Sequence, residues 1–317
     1  MTKIPIPTLV DIENAYSLIK PYIHKTPVTQ SELLNGMLGC KVHFKCENFQ
    51  KSGAFKYRGA MHSILKLSDA EKLNGVSTHS SGNHAGALAK ASLMHGLKAY
   101  IVMPNNAPRV KIDAVRSYNG KIAFCEPTLK AREEMLEQVQ DETGATLIHP
   151  YDNFNVICGQ GTSCFELVSQ IDEPDIVMMP VGGGGLMSGT SIVAKSLWKN
   201  TLVYAAEPKN ADDAYRSFKS KERMPSVSPK TMADGLLSAL SERTFTIMLE
   251  NVDDVLVVKE QSIMKAMKLV FQYLKIVIEP SSAVPLAAVI DYPDVFNNKK
   301  VAIILSGGNV DLPNLPF

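Results

Sequence analysis

The sequence predicts an α/β protein: two open, twisted, mainly parallel sheets flanked by helices, with a large domain (residues 1–68 and 153–317) and a small domain (69–152) inserted into it. Three observations carry this. Short β-rich runs alternate with longer helical ones from about residue 68, the alternation comes in two successive series, and 317 residues at ~150 per domain suggest about two domains. In the first series GVSTHS, KAYIVMP, KIAFCEP and ATLIHP (75–80, 98–104, 121–127, 145–150) read as strands. The intervening NHAGALAKASLMHG, PRVKIDAVRSYNG and LKAREEMLEQVQDETG read as helices, each closing on a glycine as a C-cap would. Strands alternating with helices imply right-handed crossovers and a parallel sheet.

The second series runs from a helical CGQGTSCFELVSQI through the strand DIVMMP, a glycine run, the helix LMSGTSIVAKSLW and the strand TLVYAAEP. A polar, proline-containing stretch (217–230) leads to the strand VDDVLVV, a helix through SIMKAMKLVFQYL, the helical SSAVPLAAVI and a last strand in VAIILSGG. These elements form the larger sheet. The chain therefore enters the large domain, builds the small one and returns.

Composition narrows the function. Apolar residues at 45% and charged residues at 21% describe a compact globular chain. A net charge of +1 from 33 basic and 32 acidic side chains offers no field for nucleic acid or anionic lipid. Cys40, Cys46, Cys125, Cys158 and Cys164 are odd in number and form no CxxC pair, so neither a zinc knuckle nor a disulfide framework is expected, and a cytoplasmic location fits best. MTKIPIPTLVDIEN lacks the unbroken apolar stretch of a signal peptide, and no run approaches the ~18 apolar residues of a membrane span.

Chemistry is expected at Lys56, in ENFQKSGAFKYRGA (47–60). Apolar or cationic neighbours disfavour an ammonium ion and leave a nucleophilic amine able to condense with an aldehyde; Ala54, Phe55 and Tyr57 provide the former, Lys51 and Arg58 the latter. Gly182, Gly183, Gly184 and Gly185 follow a strand and precede a helix, where main-chain N–H groups can approach an anion. A dinucleotide site is the main competitor, with Glu207 about 20 residues on as the ribose acid. However, GxGxxG needs glycine at 187 or 188, where Met187 and Ser188 stand, and no Walker lysine follows. A monophosphate fits better. SSGNH (80–84) closes a strand and opens a helix, presenting hydroxyls and free N–H groups to a carboxylate, although capping by Ser81 or Asn83 would give the same pattern. His84 has no HxxxH or CxxC partner and reads as a local hydrogen-bonding residue. SGGN (306–309) places the Ser306 hydroxyl at the end of a central strand, where ligands bind open α/β sheets.

Occurring together in this order, these segments make nearly the whole chain resemble the fold-type II pyridoxal phosphate enzymes, within the serine racemase and serine/threonine dehydratase group. The resemblance implies that Lys56 condenses with the aldehyde of pyridoxal 5′-phosphate and that Phe55 lies along its ring. Asn83 would bond the phenolic oxygen, Gly182 to Gly185 with Leu186 would hold the phosphate, and Ser306 would meet the pyridine nitrogen. A neutral serine there does not favour a protonated pyridinium, so the weaker electron sink favours prompt elimination or reprotonation over transamination. Ser80, Ser81, Gly82, Asn83 and His84 would receive the amino-acid substrate.

Inverting Cα requires acid/base groups on both faces. Lys56 supplies one; racemases of the group carry a serine at the position of Ser81, whereas many threonine dehydratases read SAGNH. The first expectation is therefore a serine racemase that also dehydrates serine, with threonine as a secondary candidate substrate. A threonine/serine dehydratase or a threo-3-hydroxyaspartate ammonia-lyase is the alternative on the same scaffold. An oxidoreductase built on the glycine loop and Glu207, and a non-catalytic binding protein, are the competitors from other classes. The resemblance further implies a divalent cation (Mg²⁺, Ca²⁺ or Mn²⁺) at Glu207, Ala211 and Asp213, a homodimer and, in some relatives, a nucleotide effector. With Phe317 following SGGNVDL so closely, no isoleucine-binding regulatory domain is expected.

Overall fold

A computed structural model describes residues 4–80 and 82–315. Helix α1 (Leu9–Ile19) starts at a capping box in which Thr8 and Asp11 satisfy one another's N–H groups. Strand β1 (Val28–Thr29), helix α2 (Glu32–Leu38) and strand β2 (Lys41–Cys46) follow. Next come α3 (Lys56–Leu65) and α4 (Asp69–Asn74), then β3 (Val76–His79), α5 (Asn83–Met94), β4 (Ala99–Pro104), α6 (Arg109–Ser117), β5 (Lys121–Cys125), α7 (Leu129–Thr143) and β6 (Thr146–Leu147). Strands β3 to β6 make one parallel sheet in the order β5-β4-β3-β6.

The chain continues through α8 (Phe154–Val168), β7 (Ile176–Pro180), α9 (Gly185–Leu197), β8 (Leu202–Pro208), α10 (Asp213–Ser220) and α11 (Glu242–Asn251). It closes with β9 (Asp254–Val258), α12 (Glu260–Leu269), α13 (Pro280–Asp291), α14 (Pro293–Phe296) and β10 (Lys300–Leu305). These strands join β1 and β2 in a six-stranded sheet ordered β1-β2-β10-β7-β8-β9, parallel except for the β1–β2 pair. The α/β class with two mainly parallel sheets is thus observed.

Strands β7 and β10 read as unbroken apolar runs because both faces of the large sheet are covered. One apolar layer packs α12 and α13 on the sheet, and the other packs α1, α8 and α9. A third joins α3 to α5 and to β3 and β4, so the helix that begins at Lys56 binds both sheets together. Beneath it lies a fully buried ionic cluster. Arg58 donates from Nε and Nη2 to the Glu47 carboxylate at 2.7 and 2.8 Å, while Lys45 spends its ammonium on Glu166, Gln170 and the Thr26 carbonyl.

Several boundaries differ from the sequence reading. In ATLIHP only Thr146–Leu147 is strand, since the chain leaves the sheet at His149 and Pro150 to reach the site. The helix at 109–117 does not end on a glycine cap: Asn119 takes the left-handed conformation (φ 57°), and a Cβ on Gly120 would meet Val115 at 2.6 Å. Residues 217–220 of the polar stretch belong to α10, and α11 was not expected at all. Its opening is readable in Ser241 and Thr244, which cap one another, although Thr244, Thr246 and Ile247 are β-branched residues of low helix propensity.

Candidate active site

Four stretches far apart in sequence meet at the C-terminal ends of the large sheet's strands. The Phe55 N–H donates to the Ser306 carbonyl at 3.0 Å, and Gly308 N–H to Gly53 at 2.9 Å. The Asn309 amide reaches both the Ser52 carbonyl, at 2.8 Å, and the Asn83 side chain, at 3.0 Å. The lysine segment, SGGN and the start of α5 are therefore pinned together by main-chain and amide bonds that need no cofactor.

Lys56 is half-buried at the first position of α3, with Nζ donating to the Pro150 carbonyl at 2.8 Å and 5.2 Å from the centre of the Phe55 ring. Burial pushes its pKa down to about 8, and the Glu279 carboxylate opposes that fall. Desolvation dominates here, because the cation expected to help, Arg58, is consumed by Glu47 and Glu166. The result is an amine with a neutral fraction near physiological pH far larger than an ordinary lysine's, as a condensing nucleophile requires.

The glycine run closes around packed neighbours. A Cβ on Gly183 would lie 2.3 Å from the Tyr151 ring, and Gly184 has φ +88°, so side chains are excluded on steric and conformational grounds. Helix α9 starts at Gly185, and Leu186 follows within its first turn, where N–H groups lack intrahelical acceptors and suit a dianion. Ser306, buried, ends β10.

At the opposite wall, the Ser80 hydroxyl accepts from Gly82 N–H at 3.2 Å, and α5 begins at Asn83. Ser81 lies outside the described residues. The His84 side chain turns away: its Nε2 meets the Ile148 carbonyl at 3.1 Å, and burial holds it neutral, with a pKa of about 3. What His84 can offer a ligand is its main-chain N–H in the first turn of α5.

Two participants escaped the sequence reading. Glu279, buried at the start of α13, accepts from Asn83 Nδ2 at 2.6 Å through one oxygen while the other meets no donor. Burial raises its pKa to about 7. Its only sequence signal was an acid between the apolar IVI and the helix-starting Pro280. Tyr151, stacked edge-on with His149 (centroids 4.6 Å apart), walls the glycine loop; nothing in HPYD announced it.

Glu207 and Asp213 are close enough for the charge of one to raise the proton affinity of the other. The Glu207 oxygens accept from Ala214 N–H at 3.2 Å and Tyr215 N–H at 3.0 Å. Both Asp213 carboxylate oxygens are buried without a hydrogen-bond donor. Burial lifts Asp213 to about 6 and, with Asp213 beside it, lifts Glu207 well above the carboxylate range. Ala211 is buried in the same turn. Among the described residues no group of three or more His, Cys, Asp or Glu is arranged for a metal, so a cation would have to be completed by main-chain oxygen and water.

A half-buried, partly neutral amine beside a glycine-lined helix start, at the strand ends of an open α/β sheet, defines an enzyme built for an aldehyde cofactor carrying a phosphate. Comparison with known proteins agrees. The family model described as pyridoxal-phosphate dependent enzyme matches residues 19–307, and the chain belongs to that family, in its racemase and ammonia-lyase group. The chain is 48% identical to the β-hydroxyaspartate dehydratase of Paracoccus denitrificans (98% of this chain, 99% of that protein). It is 49% identical to the serine racemase of Dictyostelium discoideum (97% and 96%). The structure of maize serine racemase superposes with a TM-score of 0.95 at 42% identity (98% and 96%). The residues present fit the cofactor: the unsubstituted loop leaves its N–H groups bare, and the amine lies within the same enclosure.

Proposed function

We propose that this chain interconverts L- and D-serine and, on the same substrate, eliminates water to release a 2-oxo acid and ammonia. The observation that carries this reading is the half-buried Lys56 amine, with Nζ on Pro150 and a pKa near 8. Bound pyridoxal phosphate supplies the electron-withdrawing system that acidifies the Cα–H of an amino acid attached to it. Lys56 takes or returns that proton at Nζ, a task suited to a group whose proton affinity lies near the working pH. Ser81 serves the opposite face. Gly182 to Gly185 and Leu186 would hold the phosphate through N–H groups, with Phe55 beside the ring, Ser306 for its nitrogen and Asn83 for its phenolic oxygen. Asn83 has a second amide hydrogen available for this beyond the one given to Glu279. Ser80, Gly82 and the first-turn N–H groups of Asn83 and His84 receive the substrate carboxylate.

A divalent cation at Glu207, Asp213 and the Ala211 carbonyl is supported by the two unsatisfied Asp213 oxygens. A cytoplasmic homodimer completes the reading; no helix among the described residues is long and apolar enough to cross a membrane. Elimination from 3-hydroxyaspartate is a second reading, favoured by the identity to the Paracoccus dehydratase.

Chiral chromatography of the products from L- and D-serine, with and without Mg²⁺, tests the proposal. Ser81→Ala is expected to suppress formation of the opposite enantiomer while pyruvate release from L-serine remains measurable. Undiminished racemisation in that variant would remove the two-base assignment.

A further inference from the structure

Strand β2 alternates its faces: Val42, Phe44 and Cys46 enter the apolar layer of α12 and α13, and Lys41, His43 and Lys45 point to the side of α8. Helix α8 and the residues just after it supply Lys45 with its acceptors, Glu166 and Gln170. The helix ends at Val168, short of the other two. There the sheet face opens into a cavity of about 880 Å³, with Lys41, His43 and Lys300 on the sheet side and Val168, Ile171 and Asp172 at the helix end. Lys41 and Lys300 are the first residues of β2 and β10 and are register partners, so their side chains leave one face of adjacent strands. Like charges directly opposite one another on a sheet are destabilising. Neither is neutralised: the Lys41 ammonium has no acceptor among the described residues, and that of Lys300 reaches only the Glu173 carbonyl, at 3.5 Å. The nearby Asp175 carboxylate accepts instead from the Lys300 main-chain N–H at 2.7 Å. His43 is half-buried beside the two lysines; burial and then Lys300 hold its pKa below the ordinary value, Lys41 adds to the fall and Asp172 opposes it. Two ammonium ions against the single carboxylate of Asp172 leave the cavity one positive charge, and a proton on His43 would make it two.

We propose that this cavity binds a small phosphate monoester, its dianionic phosphate on Lys41, His43 and Lys300 and its organic part against Val28, Val168 and Ile171. The two charges of the ligand equal those of the cavity once His43 is protonated, and the incoming dianion supplies the attraction that places the proton there. Phosphate offers three strong acceptor oxygens to the three donors, which a carboxylate with one charge and two oxygens cannot match. The site does not depend on the serine chemistry proposed above. It lies at the opposite end of the large sheet, where β2 and β10 begin, while their other ends lead to the Lys56 segment and to Ser306. Free inorganic phosphate shares the same recognition chemistry; the apolar wall favours the ester, and the experiment separates the two.

Holoenzyme, whose cofactor fills the glycine loop, is titrated calorimetrically with phenyl phosphate and with inorganic phosphate at low ionic strength and about pH 7.5, above the second phosphate pKa of ~6. Lys41→Gln, Lys300→Gln and His43→Gln are titrated alongside. Phenyl phosphate is expected to bind about tenfold or more weakly to each lysine variant, the loss of one charge-assisted hydrogen bond. Unliganded, the lysine variants are expected to melt no lower than the parent, because each relieves a like-charged pair. Titration in two buffers of different ionisation enthalpy counts protons: uptake approaching one per ligand is expected in the parent and none in His43→Gln, which general electrostatic attraction would not produce. Absence of binding to the parent overturns the inference, as does an affinity unchanged in both lysine variants, which would place the phosphate elsewhere on the protein. Binding without proton uptake by the parent overturns the part given to His43. Inorganic phosphate binding as tightly as phenyl phosphate overturns the ester in favour of the free ion.

Discussion

Lys56 and Glu279 make stability depend on pH with opposite signs. Glu279 is raised from 4.5 to about 7, so between those values the folded state holds a proton that the unfolded state has released, and stability falls as pH rises. Lys56 is lowered from 10.5 to about 8, so between pH 8 and 10.5 the unfolded chain holds the extra proton and stability rises with pH. Glu279 is buried and its window corresponds to about 3 kcal/mol; Lys56 keeps part of its side chain in contact with solvent, so its window contributes less. His84 and His149, each lowered to about 3, add a rise between pH 3 and 6.5 that overlaps the Glu279 window. The difference between the parent chain and Glu279→Gln isolates the carboxyl contribution. With cofactor removed, denaturant unfolding followed by the fluorescence of Trp198, the sole and buried tryptophan, measures both curves from pH 4.5 to 10.5. Glu279→Gln is expected to gain on the parent chain steadily from pH 4.5 to 7. It also loses the anion that lifts Lys56, so its alkaline rise should begin below pH 8. Parallel curves for the two proteins across pH 4.5 to 7, or an alkaline rise that survives in Lys56→Met, would refute the reasoning.

The remaining expectations use other parts of the site. Gly183→Ala drives a methyl group into the Tyr151 ring and should cost about 1–3 kcal/mol and weaken cofactor binding, read by thermal unfolding and a pyridoxal phosphate titration. Glu47→Gln leaves Arg58 buried beside a single remaining carboxylate and should cost about 3–5 kcal/mol, visible as a lower denaturation midpoint; a loss below 1 kcal/mol would contradict the burial assigned to the cluster. Asp213→Asn should stabilise the metal-free chain by removing an unsatisfied buried charge and abolish any rise in Tm on adding Mg²⁺, Ca²⁺ or Mn²⁺; a chelator that alters neither activity nor Tm would count against the cation.

What was legible in the sequence was local. Strand and helix alternation is written in side-chain period, and the glycine run, SSGNH and SGGN are backbone signatures that retain their meaning without knowledge of the fold. Tertiary partners were not legible. Glu279 faces Asn83 across 196 residues, and nothing near IEPSS distinguishes a site carboxylate from a helix cap. Tyr151 matters only because the chain leaves β6 early to bring its ring over the glycines. Arg58 was misread for the same reason. Two residues from Lys56 in sequence, it reads as a cation that depresses the amine, yet the helix turns it onto Glu47 and Glu166.

That contrast bears on how one short segment serves both scaffold and chemistry. Arg58 is fully buried and Lys56 half-buried, yet each polar hydrogen of the Lys45 ammonium and most of those of Arg58 meet an oxygen, and two cations face two carboxylates. Such a cluster has little to gain by moving a proton, and it fixes the first turn of α3. Lys56 and Glu279, two residues and a whole domain away from it respectively, are left short of partners: one carbonyl for the amine, one amide for the acid, and an acid oxygen with none. Desolvation then moves both toward their neutral forms, the amine downward and the acid upward, until their proton affinities nearly meet. The most deeply buried cations, Arg58 and Lys45, are thus not the reactive ones. Satisfaction of its hydrogen bonds distinguishes a structural ion from a reactive one, and the unsatisfied pair lies where the amine must be free to exchange protons.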